Sequence, residues 1–309
     1  MAAPTPDPLP VLFFDRPLPE EFHDLVEGRA VAVGPDPADL ASADAVIAGM
    51  HRWDAAAMAG GPRLRVISRS GVGYDTVDVA AATAAGITVC YAPQAPTVST
   101  AEHAVALMMA ITKSLPASHE RARAGLAGGP ATAMELEGRV LGLYGYGRIA
   151  RRVCVVGAAL GMRVIAHDPF VTEVADVELV SADDLWRRSD VVSLHAPSTA
   201  DTRHVANART LALMPPGGYL VNCARGGLVD QDALLAVLDS GHLAGAGLDV
   251  TEPEPLPVGH PLLDHPRVIV TPHVASGTVA GRRRLYQQAI DHALATLAGT
   301  LTSVVPEQC

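Results

Sequence analysis

Val140-Leu-Gly-Leu-Tyr-Gly145-Tyr-Gly147-Arg-Ile-Ala150 is the stretch that decides how this chain folds. A β-rich run leads directly into a Gly-x-Gly-x-x-Ala element, and a segment rich in Arg, Val and Ala with the composition of a helix follows. Gly145 permits a tight strand-to-helix turn, Gly147 lets a pyrophosphate approach the backbone, and Ala150 is small enough for the helix to lie close on a sheet. The helix N-terminus then faces the anion. Glycines also occur in ordinary strand-to-helix turns, so the next strand matters. Val164-Ile-Ala-His-Asp168 ends in an acid 21 residues beyond Gly147, counting from 147 to 168, close to the ~20 at which a carboxylate accepts hydrogen bonds from a ribose diol. Its charge repels a 2′-phosphate, which favours NAD over NADP. The competing reading, in which Asp168-Pro169 only opens a turn, is the weaker one given the loop before it. A methyltransferase also pairs a glycine-rich turn with a ribose-binding acid, so the reaction has to be read elsewhere in the chain.

Outward from this loop, β-rich runs at 140–144, 163–168, 190–194, 218–222, 246–250 and 268–271 predict six strands, the number a dinucleotide fold uses. Upstream lie a Gly-rich linker at 125–130 and a helical stretch at 99–124 carrying Val105, Met108, Met109 and Ile111, which Pro116 should kink or split. Earlier still, runs at 11–15, 29–34, 44–49, 64–69 and 87–91 predict five strands of a smaller sheet, with helical segments at 55–60 and 75–85 between them. The helical pattern at 278–298 is expected to cross back to this first domain. The fold class is therefore α/β, with two doubly wound parallel-sheet domains. Residues 1–98 plus 279–309 form one, and 99–278 form the dinucleotide-binding domain.

A length of 309 residues fits about two domains. With 49% hydrophobic and 18% charged residues the chain is of globular composition. Its 23 basic against 33 acidic residues, a net charge of −10, argue against holding nucleic acid. No apolar run approaches the ~20 residues that span a bilayer. The start is proline-rich without an apolar signal region, so no membrane role and a cytoplasmic location are expected. Cys90, Cys154, Cys223 and Cys309 form no Cys-x-x-Cys pair, which leaves neither a disulfide framework nor a metal site in view.

The chemistry is read from three later strands. Leu220-Val-Asn-Cys-Ala-Arg225-Gly-Gly ends one of them with an arginine, at the edge where open α/β sheets bind ligands. Alone it reads as a surface arginine, but an Arg there can clamp a carboxylate through two charged hydrogen bonds. Gly245-Ala-Gly-Leu-Asp249-Val ends in an acid, Glu252-Pro-Glu254-Pro lies beyond it, and Val268-Ile-Val-Thr-Pro-His273 closes on a histidine. An arginine, a carboxylate and a histidine thus reach one edge of one sheet. A histidine beside a carboxylate is held protonated at neutral pH and serves as a general acid. Of twelve histidines, only His273 has this company.

With these residues in place, the chain resembles the D-isomer-specific 2-hydroxyacid dehydrogenase family over nearly its whole length. The resemblance rests on Ser70-Gly-Val-Gly-Tyr-Asp75, Leu143-Tyr-Gly-Tyr-Gly-Arg-Ile149, His195-Ala-Pro-Ser-Thr-Ala-Asp-Thr202, Val221-Asn-Cys-Ala-Arg225-Gly, Leu248-Asp249-Val-Thr-Glu-Pro-Glu254-Pro and Thr271-Pro-His273. Ala150 stands where the family's third glycine falls, a substitution it tolerates. The resemblance implies a Rossmann NAD-binding domain, a smaller flavodoxin-like substrate domain, and hydride transfer between NAD(H) and a small D-2-hydroxy acid or 2-keto acid such as glyoxylate or hydroxypyruvate. It implies that Arg225 binds the substrate carboxylate and polarises the keto oxygen, that His273 protonates that oxygen, and that Glu254, in the matching Glu-Pro, pairs with His273 while Glu252 stays at the rim. Asp249 would meet the nicotinamide carboxamide, with the backbone at Cys223 and Ala224 seating the ring. The N–H groups of Arg148 and Ile149 would face the pyrophosphate, and His195, Thr202 and 274–276, including Ser276, would line the rest of the cofactor cleft. Val72 and Gly73 would offer N–H groups to the substrate carboxylate as a small nest.

The family also implies a homodimer formed through the nucleotide domain, with 99–124 long and apolar enough to supply the surface, to bridge the two domains, or both. Met50, His51 and Arg69 fall where substrate is chosen. Arg69 reads either as a phosphate ligand, as in 3-phosphoglycerate dehydrogenases, or as a rim arginine. Two alternatives to a small-keto-acid reductase remain open at this point: 3-phosphoglycerate dehydrogenase-type activity, and a non-catalytic NADH-responsive scaffold of the same fold.

Overall fold

β-branched strands alternating with Ala-rich helices build two parallel sheets in a computed structural model that describes residues 8–128 and 133–309. The first seven residues of the proline-rich start, and Gly129 and Pro130 of the expected linker, lie outside the described residues. The chain divides into two units. One holds the described residues through Pro96 together with Thr278–Cys309, and the other is Thr97–Gly277.

In the first unit β1 (Val11–Phe14), β2 (Val31–Val33), β3 (Ala45–Ala48), β4 (Val66–Arg69) and β5 (Thr88–Tyr91) lie parallel in the order β2-β1-β3-β4-β5. That is a doubly wound order with its switch point between β1 and β3. Helices α1 (Ala55–Ala59) and α2 (Val79–Ala84) connect strands. The run predicted helical at 75–85 coils only from Val79, because the Asp78 carboxylate accepts the Ala81 N–H at 2.9 Å and caps it there. Phe13, Val46, Ile67 and Val89 pack on one sheet face with Trp53 and Met58. Leu12, Phe14, Ile47 and Val66 fill the other. Both faces being covered explains why these strands read as unbroken apolar runs.

The second unit begins with α3 (Thr97–Thr112) and α4 (Leu115–Arg123). The break predicted at Pro116 falls earlier, at Ser114, whose φ is +50°. Pro116 sits in the first turn of α4, where its missing N–H would have had no helical partner anyway. Ala104, Leu107, Met108 and Ile111 of α3 are buried in this unit's own core. The sheet then runs through β6 (Val140–Tyr144), α5 (Arg148–Ala159), β7 (Arg163–His167), β8 (Glu178–Leu179), α6 (Ala182–Arg188), β9 (Val191–Leu194), α7 (Ala208–Leu213), β10 (Gly218–Asn222), α8 (Gln231–Asp239), β11 (Leu243–Leu248), α9 (Pro261–Asp264) and β12 (Val268–Val270). Its order is β12-β11-β10-β9-β6-β7-β8, parallel throughout. Seven strands replace the expected six, because β8 is a two-residue edge strand too short to mark the sequence. A Cβ on Gly157 would lie 2.6 Å from a Leu141 methyl, so this glycine, as well as Ala150, lets α5 settle onto β6. Finally α10 (Val279–Leu297) returns to the first unit and lays Ala289, Ile290 and Ala293 on its Leu12–Phe14 face.

Among the described residues no helix is long and apolar enough to cross a membrane, no cluster of His, Cys, Asp and Glu is arranged to hold a metal, and the four cysteines are unpaired.

Candidate active site

Parallel strands gather their C-terminal ends along one edge, and the crevice of the second unit opens where the chain winds away in opposite directions from β6 and β9. Gly145, just past β6, has φ +91°, and a Cβ there would lie 2.9 Å from the His195 carbonyl oxygen and the Ala196 nitrogen. Glycine alone lets the ends of β6 and β9 come so near. Gly147 caps α5 without a side-chain acceptor, and a Cβ on it would meet nothing within 4 Å. The N-terminus of this 12-residue helix, at Arg148 and Ile149, therefore keeps unpaired N–H groups beside open space, which fits a pyrophosphate.

Asp168 follows β7. One of its carboxylate oxygens accepts the Tyr146 N–H at 2.8 Å and the other the Phe170 N–H at 2.9 Å. It ties the strand end to the glycine loop while each oxygen keeps a lone pair for a ribose hydroxyl. The loop, the helix end and this acid together suit a dinucleotide.

Past β9, His195 Nε2 lies 2.9 Å from Ser193 Oγ. Burial pushes the imidazole down to about 4, so it is neutral at physiological pH. Well above pH 6.5 the ring is neutral in folded and unfolded chains alike. As the pH falls from 6.5 toward about 4, the unfolded chain takes up a proton that the folded chain refuses, and up to about 3 kcal/mol of stability is lost. Urea midpoints measured at about pH 7 and about pH 4.5 should show this loss, and H195Q should flatten that part of it. Thr202 Oγ1 accepts from the Thr199 N–H at 2.8 Å and donates to the Pro197 carbonyl at 2.7 Å, shaping the same loop.

The neighbouring strands carry the charged groups. The Asn222 side chain closes the turn after β10, donating to the Arg225 carbonyl at 2.8 Å and accepting the Ala224 N–H at 3.0 Å. Arg225 is half-buried, with Nη1 donating to the Ala224 carbonyl at 2.8 Å. A Cβ on Gly226 would lie 2.0 Å from the Thr251 carbonyl oxygen, so the turn after β10 is pressed against the loop after β11. Cys223 is buried, and that burial together with the Asp249 charge pushes its thiol up, which makes it unreactive. Asp249 is 1% exposed and accepts from the Thr271 hydroxyl at 2.6 Å, the Val274 N–H at 2.9 Å and the Ala275 N–H at 2.8 Å. Its carboxylate therefore anchors the turn after β12, the turn that also carries half-buried Ser276.

In that turn His273 has φ +53°, its N–H donates to the Asp249 carbonyl at 2.8 Å, and its Nδ1 lies 2.6 Å from Glu254 Oε1. The contact sets the tautomer: Nδ1 carries the hydrogen that the carboxylate accepts, and Nε2 is left as the pole that exchanges a proton. Glu252, the competing carboxylate, is instead paired with Arg203 at 3.0 Å. In the first unit, the Ser70 hydroxyl and N–H both donate to the Ala48 carbonyl at 2.9 Å, folding the turn that leads to Val72, 41% exposed, and Gly73. Arg69 is no rim residue. It is 6% exposed, with its guanidinium 3.2 Å from the Ala48 carbonyl and 3.1 Å from Met50 Sδ. His103 and Arg203 escaped the sequence reading. His103 reaches Thr271 Oγ1 at 3.0 Å, but it sits in an apolar helix with no motif around it. Only the position of Arg203 next to Thr202 could have marked it.

Residues 105–275 match the family described as D-isomer specific 2-hydroxyacid dehydrogenase, NAD binding domain. The chain is 39% identical over 256 residues to the D-3-phosphoglycerate dehydrogenase of Mycobacterium bovis, a match covering 80% of this chain and 47% of that protein. It thus spans about half the length of that relative. To the glyoxylate reductase of Thermofilum pendens it is 36% identical over 258 residues, covering 80% of this chain and 76% of the relative. A solved NADPH-dependent glyoxylate/hydroxypyruvate reductase from Sinorhizobium meliloti, in complex with NADP and malonate, superposes with a TM-score of 0.86 at 29% identity, over 96% of this chain and 97% of that one. The glycine loop, the acid after β7 and the strand-end histidine therefore stand in a chain that belongs to the D-isomer-specific 2-hydroxyacid dehydrogenase family.

Proposed function

We propose that the protein is an NAD-dependent D-2-hydroxyacid dehydrogenase that reduces a small 2-keto acid, glyoxylate or hydroxypyruvate, to the D-2-hydroxy acid. The observation that carries this reading is the 2.6 Å contact of His273 Nδ1 with Glu254, at the sheet edge where β10 also presents Arg225. When bound, NADH supplies the hydride that reaches the carbonyl carbon. Arg225 pairs with the substrate carboxylate and opposes the negative charge growing on the keto oxygen. His273 delivers its Nε2 proton to that oxygen, while Glu254 keeps the ring oriented and stabilises its cationic form. In the reverse direction neutral His273 takes the hydroxyl proton. In the first unit the N–H groups of Val72 and Gly73 offer a nest for a carboxylate.

Arg69, packed against Ala48 and Met50, bears on the choice between a small and a phosphorylated substrate, which a keto-acid panel decides. Asp168 supports NADH over NADPH. The expected KM is at least about tenfold lower for NADH, and D168A should erode that preference while D168N keeps the loop hydrogen bond from Tyr146. The same reading has two copies associating through the second unit, where α4 buries none of its residues. Sedimentation at varied concentration checks this.

The decisive test is a panel of keto acids, phosphorylated and not, assayed for consumption of NADH and of NADPH. Rapid turnover of glyoxylate or hydroxypyruvate with NADH is expected. Tight NADH binding without turnover of any keto acid would overturn the enzymatic reading in favour of an NADH-responsive scaffold.

A further inference from the structure

His103, on α3, places Nε2 3.0 Å from Thr271 Oγ1 and 3.4 Å from Asp249 Oδ1. The direction of these bonds follows from counting hydrogens. The Asp249 carboxylate already receives the N–H groups of Val274 and Ala275, and as an ionised acid it only accepts. The Thr271 hydroxyl has one hydrogen, and its 2.6 Å contact with Asp249 Oδ1 uses it. Thr271 Oγ1 must then accept from His103, so His103 Nε2 carries a hydrogen. The result is a directed chain from His103 through Thr271 to Asp249.

The far end of that chain is His273. The backbone carbonyl of Asp249 takes the His273 N–H, and its carboxylate takes the two N–H groups that follow. These contacts hold His273 at φ +53°, a left-handed conformation uncommon outside glycine. A buried carboxylate with this task must itself be held, and His103 supplies an imidazole from a helix anchored by Ala104, Leu107 and Met108 in the core.

From this geometry we infer that His103 is a positioning residue for His273, acting through the Thr271 hydroxyl and the Asp249 carboxylate. Its effect on turnover rests on the dehydrogenase reading, whereas its effect on the His273 turn does not.

The test has two arms. In long-range proton–nitrogen spectra of the nitrogen-15-labelled protein without cofactor, His103 should be the tautomer protonated at Nε2. A bare Nε2 in the wild-type protein would overturn the inference without any substitution. In the second arm, H103L should shift the His273 imidazole signals and lower kcat about tenfold to a hundredfold, with KM for NADH within about twofold of wild type. H103Q, whose amide can donate to Thr271, should restore both. Unchanged His273 signals and kcat in H103L, or equal damage in H103Q, would overturn it. If H103L does not fold, T271V is read instead against T271S, with the same shift expected only in the valine variant. A wild-type protein inactive on every keto acid would sink the dehydrogenase reading, yet the tautomer and the His273 signals would still decide the role of His103.

Discussion

His273→Gln is expected to lower kcat by about a thousandfold while NADH binds as tightly as to the wild type. The reasoning starts from the 2.6 Å contact with Glu254, which commits Nδ1 and leaves Nε2 to move the proton. A glutamine can occupy the turn and accept or donate a hydrogen bond, but it cannot give up a proton near neutral pH, so the loss falls on the chemical step. The glycine loop, Asp168 and the start of α5 are untouched, which is why NADH affinity should stand. Glu254→Gln should cost less, since the amide can still orient the ring without stabilising its charge. Stopped-flow turnover and NADH fluorescence titration separate the two quantities. Wild-type-like turnover in the glutamine variant would remove His273 from the reaction.

Gly226→Ala is expected to be the most damaging change that touches no reacting group. Its new methyl would have to sit 2.0 Å from the Thr251 carbonyl oxygen and 2.1 Å from the carbonyl carbon, and these are backbone atoms with no rotamer to escape into. One of two loops has to move. The first carries Arg225 and the second leads through Glu252 to Glu254, so either movement pulls the site apart. A stability loss of about 3 kcal/mol is expected, with kcat/KM falling about a hundredfold even where the variant stays folded. Thermal unfolding and steady-state kinetics on the same preparation check both. An unchanged Tm together with unchanged kcat/KM would mean that the two loops are not pressed together.

Strands were legible where a β-rich run is bounded by turn residues. Those at Val140–Tyr144 and Gly218–Asn222 have the bounds read from the residues alone. The two-residue β8 was not, because two residues carry no periodicity, and the helix break moved to Ser114 because proline is tolerated in a first helical turn. At the site, the order of the motifs placed Arg225, Asp249 and His273 at the ends of neighbouring strands, since in a parallel sheet the end of a run is also its position on the edge. What stayed hidden is pairing across long separations. His103 meets Thr271 from 168 residues away, and no local pattern signals it. The burial of Arg69 was hidden too, because a strand-end arginine reads equally as a phosphate ligand or as a rim residue. Here the carbonyl of Ala48 and the thioether of Met50 draw its guanidinium inward.

The first unit needs its last helix from beyond the second. The described residues through Pro96 and those from Thr278 onward share one core, and Ala289, Ile290 and Ala293 of α10 complete it. During synthesis the ribosome therefore finishes the NAD-binding half while its neighbour still waits with one apolar face bare. A nascent chain stalled near Gly277 carries one finished nucleotide sheet and one that is unfinished and adhesive. Truncations that remove α10 should therefore be read as assembly defects of the earliest-made strands.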